Sequence, residues 1–287
     1  MNKERLIMQK KQHLLNKQSP DFVRLEQQAR KIRLLIVHML TYAKSSHLGG
    51  ALSMTDILTV LYHGIFDIEK IKNKDHLRDY FILSKGHAAA GLYATLMSVG
   101  LISEQLVTSY NKINTGLCGH PIKDAYPGIE ASTGSLGQGL PMAVGIALAL
   151  KKDNTANKVV CLVGDGECQE GSIWESLIFA VRYKLNNLVV IVDYNKLQGL
   201  GRSSEIMTGS LEEKCKAFCY KTITINGHDL RQIYQALNSA PLSSSPTVII
   251  AHTIKGKGLS FAEDKLEWHY KSLNQEEYMQ AQKELGA

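Results

Sequence analysis

Cysteine is scarce in this 287-residue chain, and its spacing excludes two classes of protein. The five cysteines are odd in number and form no C-x-x-C pair; they are Cys118, Cys161, Cys168, Cys215 and Cys219. Disulfide-stapled domains carry a dense, even set, and structural zinc sites need two close pairs of cysteine or histidine. Cys215 and Cys219 lie close together, but no second pair completes such a site. We therefore expect reduced thiols.

Long hydrophobic runs and strongly one-sided charge are also absent. The longest apolar runs, such as 188–192, are far shorter than the ~20 residues that span a bilayer. The N-terminal stretch MNKERLIMQKKQHLLNKQSP is charged and lacks the apolar segment of a signal peptide. The net charge of +6 is scattered beyond that stretch, without the aromatic-studded basic stripe of nucleic-acid binders. We expect a cytoplasmic protein that binds neither membrane nor nucleic acid.

Three common functional motifs are missing as well. The chain has no G-x-x-x-x-G-K-[ST] loop, which argues against a P-loop ATPase, although ASTGSLGQG at 131–139 is a glycine-rich turn before a helix. No G-x-G-x-x-G follows a strand, which disfavours a nicotinamide cofactor. The histidines are not spaced like the zinc ligands of HExxH.

The hydrophobic pattern predicts an α/β fold. Continuous apolar runs at 159–163 and 188–192 are typical of parallel strands buried on both faces, and 222–225 and 247–252 add two more strands. The stretch DYFIL before SKGH is a further short strand. Helical patterns separate these strands, so we expect a doubly wound, mostly parallel sheet with helices on both faces.

Helix boundaries can be placed from local signals. Ser19-Pro20-Asp21 predicts a helix start, with Ser19 as the capping residue, and the helix should run to about residue 43. The glycines of SSHLGG should break it, and a new helix should begin near Ser53. Further helices are expected from GQGLPMAVGIALALKK and at about 171–184. We expect one domain over residues 19–287, with polar helical arms at 1–18 and 270–287.

The most informative residues follow the two central apolar runs, in GDGECQEG and NNLVVIVDYNKLQG. Asp165 and Asn195 should end adjacent parallel strands, where open α/β sheets bind ligands. Their oxygens suit Mg²⁺ bound to a diphosphate, and the next turn can aim the Leu197 carbonyl at the metal. Gly164 and Gly166 would let a diphosphate approach, and the helix starting near residue 171 would add its dipole. A pair of ordinary turns is the alternative.

Histidines beside glycine strengthen the functional interpretation. His47, His87 and His120 lie in SSHLGG, SKGHAAA and CGHPIKD, and His269 follows Trp268. Imidazoles can move protons and bind hydroxyl or phosphate groups, although a single such histidine is more often a core or capping residue. Glu170 and Glu175 begin the helix after GDG, where compensation of the helix dipole alone would explain them.

Taken together, these motifs resemble the transketolase family. GDGECQEGSIWE followed by VDYNKLQ is similar to the thiamine-diphosphate motif, which begins with GDG and ends in Asn. SSHLGGALSMTDIL, LSKGHAAAGLYA, GHPIKDAYPGIEASTGSLGQG, NGHD and TIKGKGLSFAEDKLEWHY resemble family motifs in the same order. The resemblance covers roughly 20–272 and only the family's first domain. It implies the N-terminal, diphosphate-binding subunit of a split transketolase.

The resemblance also implies roles for individual residues. Asp165, Asn195 and the Leu197 carbonyl would bind Mg²⁺, or Ca²⁺ or Mn²⁺ in its place. The cofactor, thiamine diphosphate, would be contacted by His87, Gly134, Ser135, Leu136, Gly164, Gly166, Glu170 and His269. His47, His120 and His269 would be catalytic, facing the sugar and moving protons while its C2–C3 bond breaks. Glu170 and Glu175 match acidic residues of the family's dimer interface.

The implied reaction moves a two-carbon ketol unit from a ketose phosphate to an aldose. The glutamate that activates the cofactor belongs to the family's pyrimidine domain, so a C-terminal subunit carrying that domain is the implied partner, in a two-plus-two heterotetramer. Departures occur in SHLGG, at Ser135 and after Leu197. Three alternatives remain: a 2-oxo acid dehydrogenase chain, an enzyme of the deoxyxylulose-phosphate-synthase type, and a non-catalytic scaffold subunit.

Overall fold

A parallel five-stranded sheet forms the centre of the molecule. The structure, a computed structural model, describes residues 19–206, 209–240 and 243–286, so the arm expected at 1–18 lies outside the described residues. The strands are β1 (Tyr80–Leu83), β2 (Val159–Gly164), β3 (Leu188–Tyr194), β4 (Lys221–Asn226) and β5 (Thr247–His252). They pair in parallel in the order β1-β2-β3-β5-β4. The α/β expectation is confirmed.

Alternate side chains of the strands pack into two separate cores, one on each face of the sheet. Val160, Leu162 and Ile191 belong to one core, whereas Cys161, Val163 and Val190 belong to the other. Since both faces are covered, every residue of β2 is buried, which explains the unbroken apolar runs.

Eleven α-helices are described around this sheet. They are α1 (Phe22–Ala43), α2 (Leu48–Ser53), α3 (Thr55–Val60), α4 (Ile68–Lys72), α5 (Ala89–Ser98), α6 (Gly139–Lys152), α7 (Gly171–Arg182), α8 (Ser203–Ile206), α9 (Leu211–Ala217), α10 (Leu230–Ser239) and α11 (Gln275–Leu285). A single π-helical turn, Leu61–Ile65, continues α3. In the described part of the chain, no helix is both long and apolar enough to cross a membrane.

The N-terminal cap of α1 differs from the expectation. Asp21, not Ser19, is the capping residue, and its carboxylate accepts hydrogen bonds from the amides of Val23 and Arg24. Asp, like Ser, caps well because its oxygen reaches amides that have no partner within the helix. Pro20 therefore precedes the helix instead of occupying its first position.

The glycines of SSHLGG lie inside a helix and do not interrupt it, contrary to the expectation. Gly49 and Gly50 lie inside α2, and the next helix, α3, begins at Thr55. A Cβ atom on Gly49 would lie 2.7 Å from Cγ of Lys255. Glycine is needed here because a lysine from another segment passes close to the helix.

The C-terminal helix is docked, contrary to the expectation of a polar arm at 270–287. Ala281 and Leu285 of α11 are buried, and the helix packs on α1. Its first turn is closed by a capping box, in which Asn274 and Glu277 each accept the other's backbone amide. This packing holds the preceding segment, which carries His269, against the body of the domain.

Candidate functional site

A cavity of about 520 Å³ opens at the carboxyl ends of β2 and β3. Asp165 follows directly after β2, and Asn195 directly after β3, which pairs with β2 so that Gly164 lies opposite Asp193. Both Asp165 and Asn195 line the cavity together with Leu197. The sequence-predicted neighbourhood of these three residues is therefore present.

Asp165 is held rigidly at the cavity wall. Its carboxylate accepts hydrogen bonds from the amide of Lys196 at 2.8 Å and from the hydroxyl of Ser203 at 2.6 Å. Burial raises the pKa of this carboxyl group above its usual value. A buried anion of this kind favours a cation beside it, since a positive charge would offset the loss of hydration.

The turn after β3 presents two more oxygen atoms. The Asn195 side-chain oxygen accepts the amide of Leu197 at 3.2 Å, and its NH₂ group donates to Asp193 at 3.2 Å. The orientation of the Asn195 amide is thus fixed, with its oxygen on the side of Leu197. Together with Asp165 this gives a carboxylate, an amide and a main-chain carbonyl, which are hard oxygen donors.

Lys255 is a site residue that the sequence analysis missed. Its ammonium donates to the Leu197 carbonyl at 3.1 Å and lies 2.8 Å from Nδ1 of His269. Burial, followed by repulsion from Lys85, lowers the pKa of Lys255 to about 8. A cation held at this cost next to a cavity is suited to an anionic ligand.

A second missed lysine, Lys85, has a different environment. Its ammonium donates to the carboxylate of Asp193 and, at 2.8 Å, to the carbonyl of Gly50. Asp193 also accepts bonds from the hydroxyls of Ser53 and Thr253. This buried ion pair fixes the floor of the cavity, where the side chain of Asp193 in turn orients Asn195.

Three of the predicted histidines form one cluster. The ring centroids of His47, His87 and His269 lie 5.1–5.7 Å apart. Burial, with smaller effects of nearby cations, lowers the pKa of His87 to about 2 and of His269 to about 4, and burial also lowers that of His47. The cluster is therefore neutral near pH 7, and its nitrogens can serve as hydrogen-bond donors or acceptors.

The fourth predicted histidine, His120, is exposed and lies near the cluster without lining the cavity. Its ring packs on Gly134, where an added Cβ would lie 2.9 Å from Cδ2. Gly134 and Leu136 line the cavity, whereas Ser135 between them is exposed and outside its wall.

The glycine turn after β2 differs in detail from the expectation. Gly164 and Gly166 do line the cavity, but the Gly164 amide donates to the carboxylate of Glu167 at 3.0 Å. Glu167 is buried and also accepts the amide of Gly137 at 2.8 Å and the hydroxyl of Ser84. The Gly164 amide is thus not free to bind a diphosphate. A 3₁₀ turn containing Glu167 separates the cavity from the first residue of α7, which does not line it.

Of the two predicted interface glutamates, one lies at the cavity and the other on the adjacent helix. Glu170 lines the cavity, and Glu175 is exposed one turn into α7. Ile178 and Phe179 of the same helix are also exposed, at 54% and 38%. Glu175, Ile178 and Phe179 therefore share one exposed face of α7.

Two polar atoms of side chains that line the cavity have no hydrogen-bond partner in the described structure. Nδ1 of His47 and Nε2 of Gln198 are buried without a hydrogen-bond partner among the described residues, and both side chains line the cavity. Unsatisfied buried groups of this kind are costly, so a ligand that pairs with them is expected. With the oxygen donors and Lys255, the residues fit a diphosphate with one divalent cation.

The missed residues carried a weak signal in the sequence. Lys85 and Lys255 each precede a glycine shortly after a strand, in SKG and IKG. Gln198 directly follows the predicted ligand Leu197. Spacing alone does not separate such residues from surface lysines and glutamines, because their burial depends on contacts with distant segments.

The parallel sheet carries hard oxygen donors on neighbouring strand tips, and buried cations and neutral imidazoles line the cavity beside them. These are the features of an α/β enzyme domain that binds a diphosphate. Comparison with known proteins specifies it further. Residues 25–287 match the family model described as "Transketolase, thiamine diphosphate binding domain". The chain belongs to the transketolase family and is its N-terminal, thiamine-diphosphate-binding subunit.

Relatives and solved structures agree with this assignment. The chain is 40% identical to an apulose-4-phosphate transketolase subunit of Actinobacillus succinogenes, over 90% of this chain and 94% of that protein. It is 38% identical to a 6-deoxy-6-sulfo-D-fructose transketolase subunit of a Clostridium species, over 91% and 96%. The transketolase structure from Campylobacter jejuni superposes with a TM-score of 0.84 at 32% identity. That match covers 91% of this chain but only 42% of the solved chain.

Proposed function

We propose that this chain holds thiamine diphosphate and Mg²⁺ for a transketolase that is completed by a second subunit. The observation that carries the proposal is the convergence of Asp165, Asn195 and Leu197 on one cavity. Asp165, the Asn195 side-chain oxygen and the Leu197 carbonyl would ligate the cation. Ca²⁺ or Mn²⁺ could replace it, since both accept oxygen ligands.

The buried cations would bind the remaining charge of the diphosphate. Lys255 donates to the Leu197 carbonyl, so its ammonium already points to the side of the proposed metal. Nε2 of Gln198 and Nδ1 of His47 have no partner within the described structure and would donate or accept there. Gly134 and Leu136 would line the thiazolium side, with His87 as a further contact. Direct roles for Ser135, Gly164, Gly166 and Glu170 remain predictions.

When bound, thiamine diphosphate supplies the nucleophilic carbon that accepts the two-carbon unit. This chain's histidines would then manage protons on the sugar. His47 and His269 lie beside each other at the cavity and are neutral near pH 7, so they can accept a hydroxyl proton while the C2–C3 bond breaks. His120, exposed beside Gly134, would contact the sugar from the solvent side.

The substrate class follows from the relatives. One relative is named for apulose 4-phosphate and another for 6-deoxy-6-sulfo-D-fructose. Both names describe a ketose with an anionic substituent away from the reacting carbons. We propose the same class here: a ketose phosphate or sulfonate as donor and an aldose as acceptor.

The partner subunit would cover Glu170 at the cavity and the exposed face of α7 that carries Glu175. Ile178 and Phe179 are exposed beside Glu175, and Met142 of α6 is also exposed, at 39%. The relatives named as subunits are matched over more than nine tenths of their length, as a separate N-terminal subunit requires. A two-plus-two heterotetramer is the proposed assembly, and the cytoplasm its expected location.

The test is transfer activity of the chain combined with a candidate pyrimidine-domain subunit. We expect no turnover by either chain alone, ketol transfer from ketose phosphates by the mixture, and loss of that activity in Asp165→Ala. Turnover by the purified chain alone would contradict the divided site. An Asp165→Ala enzyme at full rate would favour a scaffold role, and decarboxylation of 2-oxo acids by the mixture would favour the dehydrogenase alternative.

A further inference from the structure

A buried polar cluster lies on the far side of the segment that carries Lys255. Asp56 of α3 accepts hydrogen bonds through one oxygen from Arg33 of α1 and His228, each at 2.7 Å. Burial by itself would raise the pKa of Asp56, but the adjacent Arg33 and His228 lower it below its usual value. None of the three lines the cofactor cavity; they border a separate cavity of about 460 Å³.

This cluster grips the main chain on both sides of Lys255. The amide of Ile254 donates to Nε2 of His228 at 2.8 Å, and Nε of Arg33 donates to the carbonyl of Lys257 at 3.0 Å. Between these two contacts, the amide of Gly256 donates to the Gly49 carbonyl at 3.0 Å. Three consecutive anchors thus fix the short segment from which the Lys255 side chain extends.

The hydrogen-bond roles determine the tautomer of His228. Nε2 accepts the amide of Ile254, so the proton of the neutral ring lies on Nδ1 and is donated to Asp56. Asp56, which also binds Arg33, therefore orders both groups that hold the Lys255 segment. The arrangement is similar in logic to outer-shell residues that orient a ligand they do not themselves touch.

We infer that Arg33, Asp56 and His228 are positioning residues that aim the Lys255 ammonium at the diphosphate subsite. The inference rests on the proposed function, because it assigns the Lys255 contact to thiamine diphosphate. Lys255 is a long, flexible side chain whose affinity for a ligand depends on where its main chain is anchored. Loosening that anchor weakens cofactor binding without removing any atom that contacts the cofactor.

Two substitutions of His228 separate the anchor from general packing. Asn can place its amide near Nδ1 and keep a donor to Asp56, but it is too short to accept the amide of Ile254. Gln can place an oxygen near Nε2 and keep that acceptor. Asp229→Ala serves as the matched control, since Asp229 borders the same cavity and caps α10 through the amides of Arg231 and Gln232.

The experiment measures the Kd of thiamine diphosphate with Mg²⁺ by calorimetry on the chain assembled with its partner subunit. We expect His228→Asn to raise the Kd about tenfold, whereas His228→Gln and Asp229→Ala stay within about twofold of wild type. In a Lys255→Met background, His228→Asn should have no further effect, because the residue it positions is already gone. Thermal unfolding, measured in parallel, reports the loss of stability common to all variants.

Two results would overturn the inference. One is an equal rise in Kd for His228→Asn and Asp229→Ala, because the rise would then be explained by a general loss of stability. The other is a tenfold rise in Kd for His228→Asn that persists in the Lys255→Met background. Failure of the proposed function looks different, because the wild-type assembly itself would then show no binding of thiamine diphosphate.

Discussion

Two buried lysines border the cavity, and their surroundings assign them different tasks. Lys85 is paired with the carboxylate of Asp193, so each charge offsets the other. The ammonium of Lys255 instead forms hydrogen bonds with a carbonyl and an imidazole, and burial lowers its pKa to about 8. A buried charge without a counter-charge in contact indicates a functional role, whereas a buried charge in an ion pair also stabilises the structure.

Replacing each lysine with methionine should separate these tasks. Lys85→Met leaves Asp193 buried without its partner, and such a change costs about 3–5 kcal/mol of unfolding free energy. Lys255→Met should leave that free energy unchanged or raise it, while weakening thiamine diphosphate binding. Urea unfolding and calorimetry measure the two effects. A Lys255→Met protein as destabilised as Lys85→Met would mean that both lysines are structural.

Gly49 should be sensitive to the smallest possible enlargement. A Cβ atom there meets Cγ of Lys255 at 2.7 Å, while a Cβ on Gly145 of α6 meets nothing within 4 Å. Because both glycines lie in helices, replacing either with alanine stabilises its helix by about 0.5–1 kcal/mol, where there is room for the added methyl group. We expect Gly145→Ala to stabilise the isolated chain and Gly49→Ala to displace Lys255 and lower cofactor affinity. Unchanged affinity in Gly49→Ala would show that the lysine does not need this approach.

His63 provides a stability measurement that is sensitive to pH. Burial, assisted by Arg24 and Lys31, lowers the pKa of His63 from 6.5 to about 4. Between these two values the unfolded chain binds a proton that the folded chain does not, so stability falls as pH falls from about 6.5 to about 4. As pH falls over this range, the free energy of unfolding in chemical denaturant should therefore decrease more for wild type than for His63→Gln. A difference independent of pH would contradict the assignment.

At the scale of elements, much of the fold could be predicted from local pattern. The observed β5 has the predicted bounds, and β2 and β3 extend the apolar runs by one and two residues. Buried parallel strands are uniformly apolar, so their pattern is local and can be read without tertiary information. The adjacency of Asp165 and Asn195 also followed, because consecutive strands of such sheets are often neighbours.

What could not be predicted depends on contacts between distant segments. Gly49 lies inside α2, and its missing side chain leaves room for Lys255, which comes about two hundred residues later in the chain. The Gly164 amide, which the sequence analysis assigned to a ligand, donates to the carboxylate of Glu167 instead. The capping choice between Ser19 and Asp21 is a different kind of miss, since both residues suit the position and a shift of two residues decides it.

The exposed face of α7 should control assembly without affecting the fold. Phe179 is 38% exposed and lies one residue after Ile178 on the proposed partner surface. Phe179→Asp should abolish complex formation in analytical ultracentrifugation, because a buried unpaired charge opposes association. Met279→Asp on α11, where Met279 is 58% exposed, is the matched control and should assemble normally. Equal behaviour of both variants would place the partner elsewhere.

At the scale of the whole molecule, the chain corresponds to less than half of a solved transketolase chain. Its match to a solved transketolase is close in structure but covers 42% of that chain. The described residues provide charge, oxygen donors and neutral imidazoles at one end of the sheet, and α7 carries exposed apolar side chains. These features support the proposal that the chain holds the cofactor's diphosphate and that a partner subunit covers the cavity.

The most direct test is a crystal structure of the chain with its partner, grown with thiamine diphosphate and Mg²⁺. Our account predicts a cation bound by Asp165, the Asn195 oxygen and the Leu197 carbonyl at about 2.1 Å. It also predicts the Lys255 ammonium against a phosphate oxygen. A diphosphate bound away from the tips of β2 and β3, or a cation without Asp165 and Asn195 as ligands, would contradict it.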